Sequence, residues 1–133
     1  MQVSTCTATS LQARRPPRLG LTVRWSLADA GPDALEQLRD YVETQSYDRF
    51  RAKEGLRFKT WRARAGEWFE GCYVFASNGA RDAFQTEFAA AAADAPASRI
   101  IGSAPVLIEP SEVVAVAEGA AGFRAAPSFR NAS

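Results

Sequence analysis

The chain has 133 residues, 47% of them apolar and 11% aromatic, which suits one domain with a single core. Its 16 basic and 15 acidic residues are mixed along the chain and leave a formal net charge of +1, no electrostatic basis for nucleic acid. No apolar run approaches the roughly 20 residues that span a bilayer, so no membrane partner is expected.

Histidine is absent. That removes histidine-ligated haem, three-histidine zinc, the two-histidine-one-carboxylate iron site and the usual proton shuttle near neutral pH. No dinucleotide or phosphate-binding glycine loop occurs either, so neither metal nor cofactor is expected. Chemistry is left to carboxylates, tyrosines, lysines, backbone groups and the substrate. Cys6 and Cys72 are too few for a disulfide scaffold, and both are expected to be reduced in a cytoplasmic protein. The first 28 residues carry four arginines and no acid, a transit-like composition, but the pattern from Leu19 to Leu27 reads as structure.

Residues 1–18, rich in Ser, Thr, Arg and Pro, read as a mobile arm closed by Pro16-Pro17. Leu19, Leu21, Val23, Trp25 and Leu27 then alternate with Gly20, Thr22, Arg24 and Ser26, a strand with one apolar face. Asp33 can cap a helix in which Leu35, Leu38, Tyr41 and Val42 recur at helical spacing. A weaker pattern from Ser46 to Lys53 suggests a second short helix. Leu56–Arg64 and Glu67–Ala76 read as two strands joined at Ala65-Gly66 by a two-residue turn. That turn would place Phe58 opposite Tyr73, Lys59 opposite Cys72 and Trp61 opposite Glu70. One face then carries Phe58, Thr60, Phe69 and Tyr73, the other Lys59, Trp61, Trp68 and Glu70. Large aromatics on both faces imply that a partner subunit covers one of them.

Ser77 can cap a helix from about Gly79 to Ala93, with Phe84 and Phe88 one turn apart. Ala95-Pro96 ends it, and Arg99–Ile108 reads as a fourth strand in which Pro105 implies an edge or a bulge. Val113–Ala117 is a short apolar segment suited to pairing with or lying over a partner. From Gly119 to Ser133 the Gly, Ala, Ser and Pro content reads as a loose tail, so the domain proper is 19–118. Strand, helix, strand, strand, helix, strand is the order of an α+β, ferredoxin-like βαββαβ fold with an antiparallel sheet.

The hairpin segments Gly55-Leu56-Arg57-Phe58-Lys59-Thr60-Trp61 and Gly71-Cys72-Tyr73-Val74-Phe75 resemble the YdhR-like mono-oxygenase family of the dimeric α/β-barrel superfamily. Lys59-x-Trp61, Tyr73-x-Phe75, Phe84 and Glu36-Gln37-Leu38 carry the likeness, which spans roughly Leu19 to Glu118. The stretch between the first helix and Lys59 is longer here. The resemblance implies a homodimer with two sheets packed face to face, and a pocket between each sheet and its own helices. Without a histidine ligand, the chain is similar to the cofactor-independent members acting on aromatic and polyketide-like molecules.

The aromatics Trp25, Tyr41, Phe58, Trp61, Phe84 and Phe88, with Thr60, either fill the core or line a flat substrate slot. Tyr73 is a candidate hydrogen-bond donor to a phenolate or enolate. Glu70 is the candidate general base if burial raises its pKa, and otherwise the ion-pair partner of Lys59. Arg62 is a candidate anion anchor. Cys72 reads as a buried filler. The expected activity is a cofactor-independent mono-oxygenase on an aromatic or polyketide-like substrate. The alternatives are a non-oxidative cyclase, isomerase or hydrolase, or a binding protein without turnover.

Overall fold

The computed structural model describes residues 16–123 and 126–130; residues 1–15 of the expected arm lie outside them. Strand β1 (Gly20–Ser26) leads into helix α1 (Ala34–Tyr41), a π-helical turn (Val42–Ser46) and helix α2 (Tyr47–Arg51). Strands β2 (Leu56–Arg64) and β3 (Trp68–Phe75) follow. Then come helix α3 (Asn78–Ala90), a 3-10 turn (Ala92–Asp94), helix α4 (Pro96–Ile101) and strand β4 (Leu107–Ser111). The fold is α+β, with a four-stranded antiparallel sheet in the order β2-β3-β1-β4, consistent with the ferredoxin-like arrangement.

The helices lie on one face of the sheet, because Leu21, Val23, Trp25 and Leu27 of the β1 region alternate onto that side and are buried. They meet Leu38, Val42, Phe50, Phe69, Tyr73 and Phe75 in one core. Ala34, Leu38, Val42, Ser46 and Phe50 are all buried at steps of four. In a helix of 3.6 residues per turn, such a stripe drifts by about 40° per step. The wider π turn takes up that drift and brings Phe50 down onto the sheet. Asp33 makes no side-chain capping bond, whereas Ser77 accepts one from the Ala80 N–H at 3.1 Å.

The hairpin departs from the expected register. Arg64 pairs with Trp68, which leaves three residues in the turn. The Glu67 N–H donates to the Arg64 carbonyl at 2.9 Å, and Gly66 has φ +74°. Ala65 does not have positive φ, so the two-residue type I′ turn, which needs it at both central positions, does not form. The register also shifts between Leu56 and Phe58, making Arg57 a β-bulge. Phe58 therefore lies opposite Val74, Lys59 opposite Tyr73, Thr60 opposite Cys72, and Arg62 opposite Glu70. A slip of one residue exchanges the faces of a strand. Lys59 and Trp61 thus point to the helices with Tyr73, and Phe58 and Thr60, expected to share the face of Tyr73, point to the open face.

The fourth strand is also displaced. Pro96, at the first turn of α4, has the fixed φ that starts a helix, and Gly102 at φ +91° ends it. Residues 96–101 are therefore helical, and β4 pairs with β1 from Leu107 onward. Pro110, not Pro105, is the strand proline, tolerated because β4 is an edge. Val113–Ala117 forms neither strand nor helix, with Val114 88% exposed.

Both ends of the domain are tied down. The Arg18 N–H donates to Asn78 Oδ1 at 3.1 Å, and Arg81 Nε to the Arg18 carbonyl at 2.7 Å. In the tail expected to be loose, Arg130 pairs with Glu43 at 2.8 Å and Glu36 at 3.4 Å, while Phe123 packs on Phe58.

Candidate functional site

Lys59 and Tyr73 face each other across β2 and β3 on the helix side, and Phe50 of α2 closes over both. Lys59 Nζ lies 3.4 Å from the Phe50 ring centre, 4.3 Å from Tyr73 and 4.5 Å from Trp61. The close seating depends on Gly71. A Cβ there would lie 3.2 Å from Lys59 Cε, 3.2 Å from Tyr73 Cε1 and 3.3 Å from Tyr73 Oη. Such contacts are tighter than packed side chains tolerate without moving.

Among the described residues no carboxylate is within ion-pair distance of Lys59. Burial, reinforced by the positive charge of Arg49, holds its pKa well below that of an ordinary lysine. The ring faces favour the ammonium form and offset part of this effect. Burial pushes the Tyr73 hydroxyl in the opposite direction, keeping it protonated and available as a donor. In its deprotonated form an amine beside a phenolic donor can take a proton from one atom of a substrate while the phenol stabilises the oxyanion that forms.

Two spaces meet at this lysine. A groove of about 1030 Å³ follows the outer edge of β2, between α1, the π turn and α2 on one side and residues 126–130 on the other. A void of about 40 Å³ lies beneath the sheet-facing rings. Phe50, Lys59, Trp61 and Phe69 line both.

The expected site residues divide between the two faces. Tyr73, Trp25, Tyr41, Trp61, Phe84 and Phe88 share the helix side: Tyr73 and Phe84 are 4.9 Å apart between ring centres, and Trp25 and Phe88 6.1 Å. Trp25 is committed to the core, donating from Nε1 to Ser98 Oγ at 2.9 Å. Trp61, expected on the face opposite Tyr73, shares its side and packs with Tyr47 and Phe50. Phe58 and Thr60 point to the open face and reach the groove only around the edge of β2.

Glu70 is on that open face too, fully buried but clamped. Arg24 Nε donates to it at 2.8 Å, Arg62 Nε at 2.8 Å, and the Cys72 thiol at 3.5 Å. Burial alone would raise its pKa, but the hydrogen bonds from Arg62 and Arg24 outweigh that and hold it below the usual carboxylate value. Glu70 is therefore an ionised structural anion and not a base of raised pKa. Nor is it the partner of Lys59, which the register places on the other face. Arg62 is occupied by Glu70. Cys72 is half-buried, and burial with the Glu70 charge pushes its thiol up, away from thiolate chemistry.

No family model matches the chain, and neither a curated protein nor a solved structure does.

The sequence pattern pairs Lys59 with Glu70 and gives no site role to Phe50 or Gly71. One signal was available: only Lys53 and Lys59 of the 16 basic residues are lysines, and Lys59 sits between aromatics in a strand. Among the described residues no helix is long and apolar enough to cross a membrane, and no group of three or more Cys, Asp or Glu could hold a metal ion.

Proposed function

We propose that the chain is an enzyme acting on an aromatic or polyketide-like small molecule, with Lys59 as general base and Tyr73 as oxyanion donor. The observation that carries this reading is the Lys59 amine enclosed by Phe50, Trp61 and Tyr73 without a carboxylate, at the junction of groove and void. Abstraction from a phenol or an activated methylene requires a deprotonated base, and burial moves the Lys59 amine toward that form. The resemblance to YdhR-like mono-oxygenases adds dioxygen as the oxidant. The substrate carbanion reduces it directly, and a methylene plus dioxygen becomes a quinone carbonyl plus water.

The test is oxygen uptake with anthrones and polyhydroxylated aromatics, comparing the wild type with Lys59→Met. Uptake with quinone formation that falls at least about tenfold in the variant is expected of a general base. Uptake that Lys59→Met leaves intact refutes the assignment of the base. Rearrangement of the same compounds under nitrogen points instead to the cyclase or isomerase alternative, which uses the same two residues.

The same reading includes a homodimer in which the open sheet faces pack together. Its support is that Phe58, Trp68, Cys72 and Val74 are only half-buried on a face that none of the described helices covers. Light scattering that finds a monomer at micromolar concentration removes this part of the proposal.

A further inference from the structure

The groove along β2 carries a charge pattern that the aromatic reading does not use. Among the described residues its lining includes six basic side chains, Arg39, Arg51, Arg57, Lys59, Arg62 and Arg130, and one carboxylate, Glu43. Three of these cations are already committed. Arg39 pairs with Glu36 at 2.9 Å, Arg130 bridges Glu36 and Glu43, and Arg62 is held by Glu70. Lys59 is enclosed by rings. Arg51 and Arg57 remain, both exposed and both without an ion pair, hydrogen bond or ring contact among the described residues.

Their placement is specific. Arg57 is the bulged residue of β2, and a bulge re-aims a side chain that regular alternation would have directed to one sheet face. Arg51 is the last residue of α2, whose preceding residue Phe50 closes over Lys59. The same groove is lined by the apolar side chains Val42, Leu56, Phe58 and Trp61.

We infer that the ligand of this groove is an amphipathic organic anion, an aromatic carboxylate whose head group is held by Arg51 and Arg57 while its ring system extends toward Lys59. This rests on the reading of the groove as the substrate site and adds the class of substrate. Guanidinium groups present paired N–H donors that match a carboxylate, and an apolar wall alone would favour neutral ligands equally. The small net charge of the whole chain, +1, makes this local excess a property of the groove and not of the surface at large.

Calorimetric titration of the full chain with 2-naphthoate and with 2-naphthamide, its neutral counterpart of similar shape, tests the assignment. The expected result is that naphthoate binds about tenfold more tightly at low salt, a preference that weakens as salt screens the exposed arginines. Arg51→Gln combined with Arg57→Gln should bring the two ligands within about threefold of each other, the residual expected of a screened surface charge. Both side chains are exposed and bond nothing among the described residues, so the double variant should melt at the wild-type temperature. Equal binding of the two ligands to the wild type overturns the anion assignment and leaves the aromatic groove standing. A preference that survives the double variant overturns the role of these two arginines. Binding of neither ligand overturns the groove as a small-molecule site, and the inference with it.

Discussion

Replacing Glu70 by glutamine tests the electrostatic logic of the sheet. The carboxylate is wholly buried, with its side chain 1% exposed, while its partners Arg24 and Arg62 are 37% and 57% exposed. A hydrogen bond to a buried charged group contributes about 1.5–3 kcal/mol, but an ion pair whose cation reaches water contributes about 0–1 kcal/mol. Both arginines can swing into solvent once the charge is gone, so the lower figures govern. Glutamine keeps one acceptor oxygen and turns an N–H donor toward one guanidinium. The expected loss is about 1–2 kcal/mol at pH 7, or roughly 4–8 °C in Tm for a domain of this size. Glu70 has a folded pKa below its ordinary 4.5, so its stabilisation is full above that value. It is lost as pH falls through the folded pKa. Urea unfolding of both proteins should therefore show the difference at pH 7 and lose it in strong acid. Because Glu70 and Lys59 lie on opposite sheet faces, the activity proposed for Lys59 should be unchanged. Equal stability at pH 7, or a gap that persists in strong acid, would refute the reasoning.

Lys59→Met should be more stable than the wild type at neutral pH, since burial disfavours the charged lysine. The folded pKa lies below the ordinary 10.5, so the unfolded chain binds the extra proton between the two values and wild-type stability rises with pH there. Urea midpoints compared between pH 7 and 9 should show the advantage of the variant shrinking; a constant gap means that Lys59 titrates normally. Trp25→Phe removes the 2.9 Å bond to Ser98 Oγ and part of a buried ring, and should cost about 1–3 kcal/mol by the same unfolding assay. A loss under about 0.5 kcal/mol would mean that this bond adds little to anchoring α4 on β1.

Alternation of Leu21, Val23, Trp25 and Leu27, the helical spacing after Asp33 and the Ser77 cap each express a local rule, and each was readable from neighbouring residues alone. So was the partition of the chain into strands and helices, except near Pro96. There the competition between an apolar run and a proline-initiated, glycine-ended helix was decided in favour of the helix. The aromatic identity of the site residues followed from the same reading, because composition and spacing survive whatever face they occupy.

The face itself did not follow. Side chains alternate with a period of two, so one extra residue in the turn suffices to carry Lys59 and Trp61 from one side of the sheet to the other, while the bulge at Arg57 resets only Leu56. The same slip gives Glu70 to Arg62 and leaves Lys59 among rings, so that Glu70 is the locked ion and Lys59 has no carboxylate partner among the described residues. The Phe50 contact depends in addition on the π turn, a change of helical pitch that no single residue announces. Residue identity determined what chemistry the chain can hold. Register and pitch, which integrate the packing of the whole sheet and helix layer, decided where that chemistry meets.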